Sequence, residues 1–219
     1  MNKFEKNIEK KERSKSMKNN IERKYKKITS KDLIYIGVFA LLLIIAVAAA
    51  FGVTFTPIIQ FSRMSISAFL CGPIYLLFVA KTQKPWAVLI LGGLVSVIVG
   101  WIMFGNPLYA LVAFSFFVVG EIILFIGKYK SLRMNMISYI PVGFWAFGPY
   151  GAWWYDGERM YQFTLTTTFT KEFTDSVYAL MNTTSLIIVL ASTLIAAVLS
   201  IFFTKALFKK HFAKAGLVK

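Results

Sequence analysis

Arg63 lies in the stretch "TPIIQFSRMSISAFL", residues 56–70, inside an otherwise apolar run. A cation at the centre of a bilayer costs at least ~2.5–3.5 kcal/mol on insertion scales. Two kinds of chemistry offset such a cost. A guanidinium near a helix end reaches lipid phosphate by snorkelling. One that faces a bundle interior meets an anionic group and holds it by charge-assisted hydrogen bonds. The run begins at Pro57, and six residues at ~1.5 Å each put Arg63 roughly 9 Å below its start, within snorkelling range. Gln60, Ser65 and Ser67 make the stretch unusually polar, which favours the interior.

The other residues with chemistry gather at the ends of neighbouring apolar runs. Asn106 and Tyr109 flank the turn between the third run and the fourth. The fifth reads "SYIPVGFWAFGPYGAWWYDGER". Trp145, Tyr150, Trp153, Trp154 and Tyr155 cluster in its outer half, Asp156 and Glu158 lie just beyond, and Asn182 opens the sixth run. Trp and Tyr at a membrane interface form either an aromatic belt or stacking faces for a flat ligand, with a few polar groups to orient it. Pro141, Gly143, Gly148, Pro149 and Gly151 are expected to bend the fifth helix and expose its backbone to a ligand. The candidate binding set is therefore Arg63, Gln60, Asn106, Tyr109, Trp145, Tyr150, Trp153, Asp156, Glu158 and Asn182. In it Arg63 neutralises an acidic group, and Trp145 and Tyr150 stack on the ligand.

Glu121, in "VVGEIILFIGKYK", lies about six residues from the inner end of the fourth run. It reads either as a group bonded within the bundle or to Lys128 or Lys130, or as a carboxylate that couples protons. Catalytic patterns are missing: there is no G-x-x-x-x-G-K-[ST], H-E-x-x-H or G-x-S-x-G. Cys71 is the only cysteine and His211 the only histidine, so neither a disulfide nor a Cys/His metal site is expected. The chain reads as a non-enzyme with no catalytic residue and no metal.

What must position these residues is a membrane bundle. The 219 residues are 57% hydrophobic, with a mean hydropathy of +0.63, too apolar for a soluble domain of this size. Six continuous runs, about 33–51, 57–80, 86–104, 107–127, 134–154 and 183–208, approach the ~20 residues a helix needs to span the hydrocarbon. Continuous rather than alternating apolarity, and the need to satisfy backbone groups in lipid, predict helices. The fold class is thus an all-α integral membrane protein with six transmembrane helices.

The net charge of +15 is unevenly spread. Twelve of 25 Lys and Arg lie in residues 1–31, and most of the others in "KTQKP", "KYKSLR" and the end of the chain. That is topology charge, not a nucleic-acid groove. The positive-inside rule places both termini in the cytoplasm. Residues 1–31 read as a basic tail, disordered or a surface helix drawn to anionic lipid. Residues 32–208 form the membrane domain, and 209–219 a second basic tail. The apolar run starting at Leu33 reads as a helix that stays in place, not a cleaved leader. The connection 155–182 is the only long one and is expected to carry function.

Several segments resemble a known family: "KDLIYIGVFA" entering the first helix, "CGPIYLLFVAKTQKP" closing the second, "GEIILFIGKYKS" ending the fourth, and the terminal "FTKALFKKHFAKAGLV". They are similar to the Trep-Strep family of integral membrane proteins, also described as the MptD family of S components of energy-coupling factor (ECF) transporters. The similarity covers roughly residues 29–218. It implies a substrate-binding subunit in a prokaryotic plasma membrane that captures a vitamin-like micronutrient from outside. Its implied partners are a transmembrane T component and two ATPases, which consume the ATP. This chain would bind no cofactor. The resemblance also implies that the first helix docks on the T component through small residues, here Gly37 and Ala40, with Ala46 and Ala50 nearer the outer end. Two other classes stay open: a stand-alone carrier coupled to protons or ions through Glu121, and a membrane scaffold or sensor using its basic tail.

Overall fold

The computed structural model describes residues 28–52, 56–167 and 169–209. Most of the tail expected at 1–31, and the terminal segment from Lys210 that holds His211, lie outside these residues.

Among the described residues the secondary structure is entirely helical. Helix α1 runs Ser30–Gly52. A single turn, α2 (Pro57–Gln60), precedes α3 (Arg63–Thr82). Helix α4 (Ala87–Ser96) continues as a π-helix over Val97–Met103. Helix α5 spans Pro107–Ile126. Then come α6 (Leu132–Val142), the short turns α7 (Phe147–Tyr150) and α8 (Ala152–Tyr155), α9 (Gly157–Thr166), α10 (Lys171–Ala179) and α11 (Thr183–Leu207). Four of them, α1, α3, α5 and α11, are long and apolar enough to cross a membrane. The apolar helix Ala87–Met103 is shorter, and the fifth apolar run is broken into α6, α7 and α8.

Each difference from a straight helix has a local cause. Pro57 opens α2 where a missing N–H is harmless, but the helix does not pass smoothly into α3; the chain turns at Phe61–Ser62, and Arg63 begins the next helix. In the fifth run, Pro141 and Pro149 each remove a backbone donor, and Gly143, Gly148 and Gly151 lower the cost of leaving helical geometry. The connection 155–182 holds two helices. Both are amphipathic: Met160 and Thr164, four apart, are buried on α9, and Thr174 and Val177, three apart, on α10.

Helix α3 is the centre of the bundle, packed against α1, α6 and α11. Its buried residues fall at i, i+3/i+4 spacing, among them Met64, Ala68, Cys71, Tyr75 and Phe78. A second apolar cluster forms the roof at the end of the bundle where α3 begins. There Tyr109, Ala152, Trp153, Met160 and Val177 pack together, and α10 rests on α2. The outward faces of α1, α5 and α11 carry Ile34, Leu41, Leu111, Ile126, Ile187 and Phe202 exposed, the surface expected of helices solvated by lipid.

At the opposite end Glu121 acts as a clamp. Its Oε1 accepts from the Trp86 backbone N–H at 2.7 Å and from the Tyr129 hydroxyl at 2.8 Å. The first contact places a carboxylate at the start of α4, where unsatisfied N–H groups and the helix dipole favour it. Among the described residues Glu121 is thus bonded within the bundle, to Trp86 and Tyr129, rather than to Lys128 or Lys130. Glu121→Ala should lower stability by about 2 kcal/mol or more by leaving two donors unpaired. Glu121→Gln, which keeps an acceptor oxygen, should stay near wild type. Thermal unfolding of the purified variants in detergent checks both.

An aromatic cavity around Arg63 as candidate binding site

Beneath the roof lies a cavity of about 270 Å³, near the lower end of small-molecule sites. Its walls come from six parts of the chain, Val189 of α11 with Met181 before it being one, and the others follow from the fold. The end of α1 supplies Val47 and Phe51. The α2–α3 junction supplies Gln60, Phe61, Arg63 and Met64. The π-helix supplies Val99 and Met103, and α7 and α8 supply Tyr150, Trp153 and Trp154. The roof closes the cavity with Met160, Phe163, Thr164 and Phe169.

Arg63 is 4% exposed and lines this cavity, which settles the choice between lipid and interior. A guanidinium that snorkelled to headgroups would keep its tip in solvent. Three rings surround it instead: Phe51 with its centroid 4.1 Å from Cζ, Phe169 at 5.7 Å and Tyr150 at 5.9 Å. Cation–π attraction of this kind contributes about 0.5–2 kcal/mol per contact, more as water is excluded. Phe169 also stacks on Phe173, with centroids 4.5 Å apart and planes within 13°, so the roof grips the aromatic cage from above. Gln60 is 7% exposed. Its Oε1 is buried in the cavity wall with no hydrogen-bond partner among the described residues.

Of the ten sequence candidates, four meet here: Gln60, Arg63, Tyr150 and Trp153. The other six do not line the cavity. Trp145 sits deeper in the core, 1% exposed, against Phe117 with centroids 6.0 Å apart. It cannot stack on a ligand in this cavity, because the break after Val142 turns its side chain inward. Asn106, Tyr109 and Asp156 form a bolt between α5 and the roof. Asp156 Oδ2 accepts from the Tyr109 hydroxyl at 2.8 Å and from Asn106 Nδ2 at 3.1 Å, while Asn106 Oδ1 caps α5 through Leu108 N. Arg159 adds a bond to the Gly105 carbonyl. Glu158 is exposed and accepts from Gln162. Asn182 caps α11 through Ser185 N at 2.9 Å.

A further acid of the roof is likewise engaged. Asp175 accepts from Lys171 at 2.8 Å and from Tyr161. The Lys171 ammonium holds its carboxyl below the usual carboxylate range. Among the described lining residues Arg63 is charged and there is no acid.

Sequence reasoning missed much of the wall: Phe51, Phe61, Met64, Met103, Phe163 and Phe169. On α9 a signal was present, since Met160, Phe163, Thr164 and Thr167 repeat at helical spacing on one face of an otherwise polar segment. The docking residues inferred for α1 also need correction. Ala40 is 1% exposed, and Ala46 and Ala50 are buried as well, because all three lie on the stripe that packs inward with Ile36, Leu43 and Val47. Gly37 is exposed, and a side chain added there would meet nothing within 4 Å.

The geometry is therefore that of a helical bundle with an aromatic-lined recess at one end. The family model of a hypothetical bacterial integral membrane protein, Trep_Strep, matches residues 30–214. The chain belongs to the Trep_Strep family. The match takes in every helix that lines the cavity, so the Arg63 recess lies wholly within the Trep_Strep region. No curated protein and no solved structure matches the chain.

Proposed function

We propose that this chain is the substrate-binding S component of an ECF-type importer, capturing a small, vitamin-like molecule from outside the cell. Six spans carry it: the four long helices, the Ala87–Met103 helix, and the broken unit α6–α8. Both termini lie in the cytoplasm, so the roof faces outward. The observation that carries this reading is the aromatic recess with Arg63 and Gln60 buried in its wall. A purely structural bundle gains nothing from a desolvated cation beside a cavity, whereas a binding protein uses it to select its ligand.

In this reading Arg63, Gln60, Tyr150 and Trp153 contact the substrate. Asn106, Tyr109 and Asp156 hold the roof in register, and Asn182 fixes the start of α11. Uptake is driven by ATP on partner subunits, with no cofactor on this chain. Glu121, with Oε1 given to Trp86 and Tyr129, supports the inner end of the bundle rather than a proton relay.

Co-purification tests the assignment. The tagged chain, extracted gently from its native plasma membrane, should bring down a T component and two ATPases. Isolation alone at full yield would contradict it. Gly37→Leu should leave the fold intact, since the position is open, yet reduce recovery of the T component several-fold by thickening the outer face of α1. Unchanged recovery would exclude Gly37 from that interface.

A further inference from the structure

A second hollow lies beside the recess, on the lipid side of the bundle. We infer that the recess is filled from there, sideways past Phe61, and that its substrate is an amphiphilic molecule that dissolves in the outer leaflet. This rests on the reading of the recess as an outward-facing substrate site and adds its route and substrate class.

Three observations support the route. First, the two hollows share a wall. A groove of about 880 Å³ runs between the α2–α3 turn and the first turns of α11, where Thr184, Ile188 and Ser192 face it at helical spacing. Phe61 and Val189 line both this groove and the recess of about 270 Å³. The groove is the larger, so a molecule that fits the recess also fits the groove. Second, the groove is open to lipid and graded with depth. Ser62, Thr183 and Thr184 supply hydroxyls at its outer end. Ile188, one turn deeper, is 61% exposed. Ser192, eight residues below Thr184 and so about 12 Å deeper, donates to the Val189 carbonyl at 3.0 Å and pairs with Ser65 at 2.9 Å. An amphiphile lies along such a gradient, its polar end among the hydroxyls and its body against Ile188. The recess takes the same kind of molecule: its lining is mostly apolar, and Gln60, Arg63, Tyr150 and Trp153 carry polar groups. Third, among the described walls Phe61 yields most readily. It lies in the non-helical turn between α2 and α3, and its ring rests on Trp154 with centroids 5.6 Å apart. Trp154 is itself held, its indole N–H donating to the Asn182 carbonyl and Ser185 Oγ. One side chain swinging off a fixed partner therefore joins the two hollows. The roof is tied at more points: Asp156 accepts from Asn106 and Tyr109, Arg159 donates to the Gly105 carbonyl, and Phe163 stacks on Phe104.

Thiol labelling of the full-length chain in nanodiscs tests the route. Cys71 is the only cysteine, and Val99 lines the recess at 1% exposure. Cys71→Ala with Val99→Cys thus puts a single reporter thiol in the recess. Benzyl methanethiosulfonate dissolves in lipid; 2-sulfonatoethyl methanethiosulfonate stays in water and bears a charge that Arg63 does not repel. With each rate normalised to free cysteine, the benzyl reagent should label about tenfold faster or more, because only it is concentrated in the leaflet. Phe61→Ala should raise the benzyl rate about tenfold, and Phe61→Leu a few-fold, by lowering the barrier at the partition. Arg159→Ala, which releases a roof contact, should leave that rate unchanged. If Phe61→Ala does not fold, Phe61→Leu and the ratio of the two reagents decide. Equal labelling by both reagents, no labelling by either, or a benzyl rate that Arg159→Ala raises and the Phe61 variants do not would overturn the inference. A chain that gives any of those results yet brings down a T component and ATPases loses only this route. One that labels as stated but never assembles with them keeps the route and loses the importer.

Discussion

Arg63→Gln should weaken substrate binding by more than tenfold while leaving the yield and thermal stability of the folded protein unchanged or slightly raised. The two halves have opposite signs for one reason. A buried cation is costly to desolvate, and replacing it by a neutral side chain of similar shape relieves that cost. The loss of attraction to Phe51, about 0.5–2 kcal/mol, with smaller contributions from Phe169 and Tyr150 near the ~6 Å limit of such contacts, works against that relief. The ligand has no such compensation. Truncating one partner of a desolvated charge pair costs about 2–5 kcal/mol, well beyond tenfold in affinity. Equilibrium binding and thermal unfolding on the same preparation separate the effects. A stability loss with unchanged affinity would make Arg63 a packing residue.

The second large effect lies on the π-helix. Gly100 faces the turn into α5 so closely that a Cβ would sit 2.5 Å from the Ala110 nitrogen and 2.7 Å from its Cα. Those are backbone atoms, which cannot swing aside as a side-chain end does. Gly100→Val should therefore force α4 and α5 apart and cost at least the ~1–3 kcal/mol typical of overpacking. Val99 and Met103, which flank Gly100 on the cavity wall, move with it, so binding should fail together with folding. The control is Gly37→Ala, where nothing lies within 4 Å. There the side chain should stabilise the helix by about 0.5–1 kcal/mol. Monodispersity on gel filtration and thermal unfolding distinguish the pair. A well-folded Gly100→Val would show that the π-helix has slack.

The helical, membrane-embedded character was legible because it rests on long apolar runs and on charge between them, both local properties. So was the inward setting of Arg63, since a cation in an apolar run has few places to go. The roof and the wall were harder to read. Phe51, Phe61, Phe163 and Phe169 are apolar residues among many, and nothing local separates a phenylalanine that lines a cavity from one that faces lipid. Asp156 and Asn106 looked like ligand groups because polar residues near a membrane surface suit binding and bracing equally. Only their mutual hydrogen bonds reveal the second role. Trp145 was misplaced because the bend expected from Pro141 and Gly143 does not by itself say which way the next side chains point, and here Trp145 packs into the core against Phe117. The alanines of α1 were misread because spacing alone does not say which face of a helix is inward.

Native mass spectrometry of the wild type and Arg63→Gln, extracted side by side into lipid nanodiscs from cells grown in rich medium, is the most direct test that the Arg63 recess is a substrate site. The wild type should carry one small molecule at one-to-one stoichiometry, and the variant should be empty at equal protein yield. Equal retention by both, or an empty wild type, would contradict the account.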